Sequence, residues 1–189
     1  MVKSRFMVVT ALLLLLLAAP VSAFSGAGSG TIDDPYRITT ADQFLEIKND
    51  SVYFVLENDI DMTGKPWGEW VGKGGSSPLH LDGQGHIVKN LAVSGTRGMF
   101  AIAGSDFSIK NVVFESPSLT RTYSGGSLIG FIAPTLAYPI TFENVGIVNA
   151  DFKTISESGN AYIGGFFGEL KSNPTIKNCF VTGSLTAES

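Results

Sequence analysis

The chain has 189 residues, 44% of them hydrophobic and 16% charged, with a formal net charge of −4. Mild acidity, with no basic run or basic stripe interleaved with aromatics, excludes the electrostatic attraction that dominates nucleic-acid binding. A single cysteine, Cys179, excludes an intramolecular disulfide, so stability has to come from packing rather than covalent staples.

The N-terminus has the form of an export signal. Lys3 and Arg5 open it, residues 7–17 are apolar except Thr10, and Val21-Ser22-Ala23 supplies small residues suited to cleavage after Ala23. The apolar run is too short for a comfortable membrane span. Residues 1–23 are therefore read as a signal peptide, with an uncleaved anchor as the alternative. Its removal leaves a chain of ordinary single-domain size, made more acidic because both charged residues of the signal are basic. The mature protein is expected to be secreted or held at the cell surface, without a membrane span.

Residues 24–50 form an N-terminal segment. After Gly/Ser-rich residues 25–30, Thr40-Ala41-Asp42-Gln43 has the form of a capping box, and Phe44, Leu45 and Ile47 follow on a short helix. The helix is placed to cap the first of the coils expected over residues 51–189, since a terminal coil otherwise exposes its core and strand edge. Residues 53–56 and 60–62 read as the first strands, with turn chemistry at Asn58-Asp59 and over residues 64–66.

From there the chain is periodic. An apolar residue, a charged residue, an asparagine and an apolar stretch recur at Val88-Lys89-Asn90-Leu91, Ile109-Lys110-Asn111-Val112, Phe142-Glu143-Asn144-Val145 and Ile176-Lys177-Asn178-Cys179. One short step between asparagines is followed by two longer and nearly equal ones, all in or near the range of stacked repeat architectures. A second pattern precedes three of them: Gly98-Met99-Phe100-Ala101, Ser127-Leu128-Ile129-Gly130 and Gly165-Phe166-Phe167-Gly168. The spacing from the last residue of each to its asparagine is the same in the first and third and longer in the second, which places a four-residue insertion in the middle unit. One repeat reads as two short strands joined by a turn.

The columns of this alignment explain why such strands stack. The positions two before, one after and three after the asparagine are all apolar, whereas the position just before it is Lys, Lys, Glu and Lys, as alternation across a strand requires. A unit this short cannot enclose a core alone. Parallel copies stacked about 4.8 Å apart join the columns into one interior, the solution of β-helices and solenoids. Cys179 falls in an inward column and reads as a small buried hydrophobe. Asparagine is a poor strand former, so Asn90, Asn111, Asn144 and Asn178 suggest a bend at which stacked amides form a structural ladder. A plain preference of Asn for turns is compatible with this.

The residues Gly28-Ser29-Gly30-Thr31, Asp34-Pro35-Tyr36-Arg37-Ile38, Tyr53-Phe54-Val55-Leu56, Asn58-Asp59-Ile60-Asp61 and Leu81-Asp82-Gly83-Gln84-Gly85-His86, with the later Gly-Met-Phe, Leu-Ile-Gly and Gly-Phe-Phe-Gly segments, resemble GLUG-repeat proteins. These are secreted or surface-displayed, adhesin-like proteins of bacteria and archaea. The resemblance implies an all-β, right-handed parallel β-helix with a short N-terminal capping helix, and it covers nearly all of the chain after the signal. It identifies a scaffold rather than an activity. A Ser-Leu-Ile-Gly variant and few repeats are the departures from the family pattern.

Groups for chemistry are sparse. His80 and His86 flank the Asp82-Gly83-Gln84-Gly85 turn, and no His-Glu-x-x-His helix exists for zinc. His80, Asp82 and His86 read as the edge of a tight bend rather than a metal site. Asn58, Asp59 and Asp61 lack a calcium-loop spacing. Asp106, Glu115, Glu143, Asp151 and Glu169 share no repeat column, as a glycoside-cleaving pair would require. No catalytic, metal or cofactor residue is assigned. Trp67, Trp70, Tyr123 and Tyr138 mark a candidate binding region for a glycan or a surface protein, although Trp67 alternatively closes the first coil.

The expected function is a non-catalytic, adhesin-like stalk or binding surface. The alternative is an extracellular carbohydrate-active enzyme, a polysaccharide lyase or glycoside hydrolase, or its substrate-binding part. Beyond Cys179-Phe180-Val181 only a short tail over 183–189 remains, with no polar cap. An open terminal coil is therefore expected, in a fragment of a longer repeat protein or a chain that self-associates through that coil.

Overall fold

The computed structural model describes residues 24–47, 52–68, 79–94, 98–100, 107–125, 127–136, 138 and 140–189. The expected signal over residues 1–23, together with Trp70 and Asp106, lies outside these. In chain order the elements are β1 (Tyr36–Ile38), one turn of helix α1 (Ala41–Phe44), β2 (Val52–Leu56), β3 (Ile60–Asp61), β4 (Leu79–Asp82), β5 (Ile87–Lys89), β6 (Ala92–Ser94) and β7 (Phe107–Glu115). There follow β8 (Ser118–Tyr123), β9 (Ser127–Gly130), β10 (Ala133–Leu136), β11 (Thr141–Ser156), β12 (Ala161–Gly164), β13 (Phe167–Leu170), β14 (Thr175–Lys177) and β15 (Phe180–Glu188).

Every pairing between these strands is parallel. The chain returns to the same place one layer on: Tyr53 lies beside His80, His80 beside Ser108, Ser108 beside Thr141 and Thr141 beside Thr175, in steps that are shorter in the first layers than in the last two. Within a layer the strands turn corners. The first half of β11 pairs with β7 and β14, and its second half pairs with β8 and β15. Two further walls complete the layer, β9 against β12 and β10 against β13. A repeat is thus several straight runs, not the two strands expected from the sequence. Two strands leave the interior open on the remaining sides, which β9, β10, β12 and β13 line.

The walls of β9, β10, β12 and β13 also correct the alignment of the glycine segments. Gly130 lies beside Gly164, Met99 N–H donates to the Phe131 carbonyl at 2.8 Å, and Ile132 N–H donates to that of Phe166 at 2.9 Å. The structural equivalents are therefore Met99 and Phe100, then Phe131 and Ile132, then Gly165 and Phe166. Placed this way, the interval to the next asparagine is nearly constant, and the four-residue insertion disappears. Leu128-Ile129-Gly130 looks like the later Phe-Phe-Gly segment, but burial of Phe131 and Ile132 sets the register further along the chain.

The core consists of side-chain columns running through the layers. Phe54, Leu81, Ile109 and Phe142 stack in register and none is more than 2% exposed. Ile60, Val88, Phe114 and Ile147 form a second column, and Trp67, Val93, Leu119 and Phe152 a third. Parallel strands buried against one another in this way bury a continuous apolar interior at roughly 25 cal/mol per Å². Cys179 lies half-buried over Val145 at the edge of that interior, in the inward position expected of it.

The N-terminal helix forms as its sequence signature indicates, with one difference. Thr40 Oγ1 accepts from Gln43 N–H at 3.3 Å, but Gln43 Oε1 reaches back to Thr39, accepting from its backbone N–H at 2.7 Å and its hydroxyl at 2.9 Å. Phe44 and Ile47 are fully buried, and the Phe44 ring meets Trp67 edge-on at 5.7 Å.

Column position decides what a truncation costs. Phe142→Ala, in a fully covered layer, is expected to destabilise by about 3–5 kcal/mol. Ile176→Ala, one layer on and 46% exposed, removes fewer methylenes from a half-open site and is expected to cost about 1 kcal/mol or less. Chemical denaturation of the two variants checks this; similar losses would show the columns are not the source of stability.

Candidate functional site

The polar chemistry of the molecule gathers at the corners between strands. Asn111, Asn144 and Asn178 have φ of 52°, 55° and 54°, the left-handed region that asparagine tolerates better than other side-chain-bearing residues. Their amides form a line: Asn144 Nδ2 donates to Asn111 Oδ1 at 2.7 Å and Asn178 Nδ2 to Asn144 Oδ1 at 3.0 Å. Asn111 Nδ2 donates in turn to Asp82 Oδ1 at 3.0 Å. Asn111 is half-buried and the other two are exposed, so the line runs along the flank rather than inside the core.

Asn90 does not belong to this line. Lys89 lies beside Glu115 and Glu115 beside Val148, which puts Asn90, Ser116 and Asn149 at a second corner, with φ of 57°, 52° and 55°. Asn90 Nδ2 donates to Asp61 Oδ1 and to Thr63 Oγ1, both at 3.0 Å. The short step from Asn90 to Asn111 therefore joins two different corners and is not one repeat. The motif could not separate them, because each corner ends one outward-charged strand and begins another apolar one.

The acidic and imidazole groups are engaged at corners or between neighbouring strands. Asp82 Oδ1 accepts from Gln84 N–H at 2.9 Å as well as from Asn111. His80 stacks on Tyr53 with centroids 4.2 Å apart and shares a 2.9 Å hydrogen bond between Nδ1 and Ser108 Oγ. His86 Nδ1 lies 3.2 Å from Asp59 Oδ1, which also accepts from Ile87 N–H at 3.0 Å. The three residues His80, Asp82 and His86 thus turn to three different partners. Ile87 N–H and then His86 hold the Asp59 carboxyl below its ordinary value. The Thr63 hydroxyl, followed by the Asn90 amide and Thr63 N–H, lowers that of Asp61 to about 2. Among the described residues, no group of three or more His, Cys, Asp or Glu is placed to hold a metal ion.

The remaining carboxylates occupy separate columns. Glu143 lies between Lys110 and Lys177, with Lys177 Nζ at 2.8 Å. That ammonium lowers the Glu143 carboxyl, and Glu143 raises Lys177 in return. Glu115 sits beside Lys89, Asp151 between Ser118 and Ser184, and Glu169 beside Thr135.

The aromatic region divides. Trp67 is 2% exposed and donates its indole N–H to the Met99 carbonyl at 2.8 Å, so it is a core residue and cannot serve as a binding platform. Tyr123 and Tyr138 are exposed, with the Arg121 guanidinium 4.9 Å from the Tyr123 ring centroid. Tyr162 is more exposed than either, and Asn160 Nδ2 donates to its hydroxyl at 2.9 Å. No motif marks Tyr162 in the sequence. Its outward slot is legible only from the alternation with Ile163, which packs on the core.

No family model matches the chain. Over 167 aligned residues it is 29% identical to halomucin of Haloquadratum walsbyi (strain DSM 16790 / HBSQ001), an alignment that covers 77% of this chain and 2% of halomucin. Among solved structures it is similar to a "putative immunoglobulin A1 protease" from Bacteroides ovatus, with a TM-score of 0.61 and 22% identity, over 85% of this chain and 60% of that one. At that identity the likeness is one of fold. The chain spans a small fraction of the one and about three fifths of the other.

The corner line makes a graded prediction. Asn111→Ala is expected to cost about 1–3 kcal/mol through lost amide hydrogen bonds and left-handed backbone strain. Asn111→Gly, which accepts φ of 52°, is expected to cost less, and Lys110→Ala at most about 0.5 kcal/mol. Equal costs in urea denaturation would show that the amides contribute nothing.

The Asp61 carboxyl offers a second test. Its folded pKa of about 2 lies below the ordinary 3.8, so its contribution to stability is present above about 3.8 and is lost as pH falls through about 2. Thr63→Val is expected to raise the Asp61 pKa toward 3.8, and Asn90→Ala to raise it less. Carboxyl NMR titration reads both, and an unmoved value in the Thr63 variant would contradict the assignment.

Proposed function

We propose that this chain is a non-catalytic module of an extracellular surface protein, built as a right-handed parallel β-helix of the GLUG-repeat, adhesin-like kind with α1 closing its N-terminal end. It serves as a stalk or as a binding surface for a glycan or a protein partner. The observation that carries this reading is that Asp59, Asp61, Asp82, His86 and Glu143, among the side chains considered for chemistry, are engaged in a corner or an ion pair of the stack. A scaffold uses its polar groups in this way, whereas a hydrolase holds two carboxyl groups about 5–9.5 Å apart on one face. The identity with halomucin supports an extracellular surface setting. The export signal read over residues 1–23 agrees with that setting.

The binding surface is assigned to the exposed tyrosines Tyr123, Tyr138 and Tyr162, whose rings can stack on sugars. A glycan array run beside a polysaccharide-cleavage assay tests the proposal. Binding without turnover is expected, weakened about tenfold or more by Tyr→Ala at the tyrosine responsible with an unchanged melting temperature. Turnover that an Asp or Glu substitution abolishes would replace the scaffold by an enzyme.

A further inference from the structure

Residues 24–30 read in sequence as a Gly/Ser-rich approach to the first strand, yet the structure packs them against it. Arg37 N–H donates to the Ala27 carbonyl at 2.8 Å and Tyr53 N–H to the Gly30 carbonyl at 3.0 Å, so the segment takes up backbone donors of β1 and β2. Phe24 is half-buried, its ring 4.6 Å from that of Tyr36 and 5.8 Å from that of Phe54. A side chain on Gly26 would collide with the Phe24 ring and with the Arg37 carbonyl. The glycine leaves the room that the ring fills.

A carboxylate stands beside this ring. Ser25 N–H donates to Glu46 Oε2 at 2.7 Å. The Phe24 nitrogen is three covalent bonds from that of Ser25 and therefore lies about 6 Å or less from the same carboxylate. The other charged groups of this end turn elsewhere: Arg37 faces Asp34 at 3.5 Å and Glu57 at 3.6 Å, and Asp42 faces Lys65 at 2.6 Å. Among the described residues, Tyr36 is the further titratable group packed against Phe24.

We propose that cleavage between Ala23 and Phe24 completes the N-terminal cap, by giving Phe24 an α-ammonium whose counter-ion is Glu46. In the hydrolysis, water adds its hydroxyl to the Ala23 carbonyl carbon and a proton to the Phe24 nitrogen as the bond between them breaks. The new carboxyl proton then passes to the amine, which leaves a carboxylate on the released peptide and an ammonium on Phe24. Before cleavage that nitrogen is a neutral amide. After it, an opposite charge stands within the range over which each group favours the charged form of the other. The new first residue is thus matched to its place twice, by a ring that fills the gap over Gly26 and by a charge that meets Glu46. The inference rests on the export signal read over residues 1–23 and is independent of what the module binds.

The full chain, expressed in a cell with a working export system, tests it. Intact-mass analysis is expected to show a product that begins at Phe24. In NMR titration its α-amino group is expected to ionise at least about half a unit above the ordinary value of about 7.7–8.0, and Glu46→Gln to return it to that range. A raised folded value makes the contribution present at neutral pH and lost as pH rises through it. At neutral pH the Arg37 amide, measured against that of Leu81 in the same sample, is accordingly expected to exchange about twofold faster or more in the Glu46 variant. A product that begins at Phe24 but whose α-amino group ionises in the ordinary range, or is unmoved by Glu46→Gln, would overturn the proposal and leave the export reading standing. A product that begins elsewhere, or keeps residues 1–23, would overturn both. If the variant does not fold, seen as lost protection at Leu81, the titration of the unaltered product decides: a raised value supports the pair and an ordinary one overturns it.

Discussion

Everything in this molecule depends on parallel register. Once a strand pairs in parallel with the layer beneath, each residue stands over its equivalent in that layer, and one layer's apolar position becomes a column through the stack. Phe114 is buried because Val88 lies below it and Ile147 above, not because its own layer could enclose it. Burial of this kind is shared between neighbours, so stability accumulates with layers and falls away where the stack is open.

Register also decides what the corners are made of. A strand that must turn while keeping its side chains in column needs a residue that accepts a left-handed backbone, and asparagine does so while offering both a donor and an acceptor. Two corners per layer are built this way, one with Asn111, Asn144 and Asn178, the other with Asn90, Ser116 and Asn149. Ser116 shows that the backbone requirement and the amide line are separable, since it takes the same φ without an amide to stack.

The outward face obeys the same rule, with charge in place of apolar area. In-register stacking puts Lys110, Glu143 and Lys177 in one row, where like charges directly opposite would repel. Alternation removes that penalty and leaves exposed pairs such as Lys177 with Glu143 and Lys153 with Glu188, each worth little alone. These pairs act as register markers more than as sources of stability.

Residue order alone determined which apolar residues of the repeats face inward and where the helix turn begins at Thr40, because alternation and capping are local signals. It also determined that asparagine marks a change of direction. Which asparagines share a corner was decided only by tertiary structure, since Asn90 and Asn111 carry the same local motif and differ solely in the layer each strand returns to. The alignment of the glycine segments was decided there too. Leu128-Ile129-Gly130 and Phe166-Phe167-Gly168 look alike in sequence, yet Met99 pairs with Phe131 because that register buries Phe131 and Ile132. Burial likewise settled the fate of Trp67, whose indole donates to Met99, a residue 32 positions away. A local pattern can state that a side chain is aromatic and flanked by turns; only the closing of a layer around it determines which side of the wall it occupies.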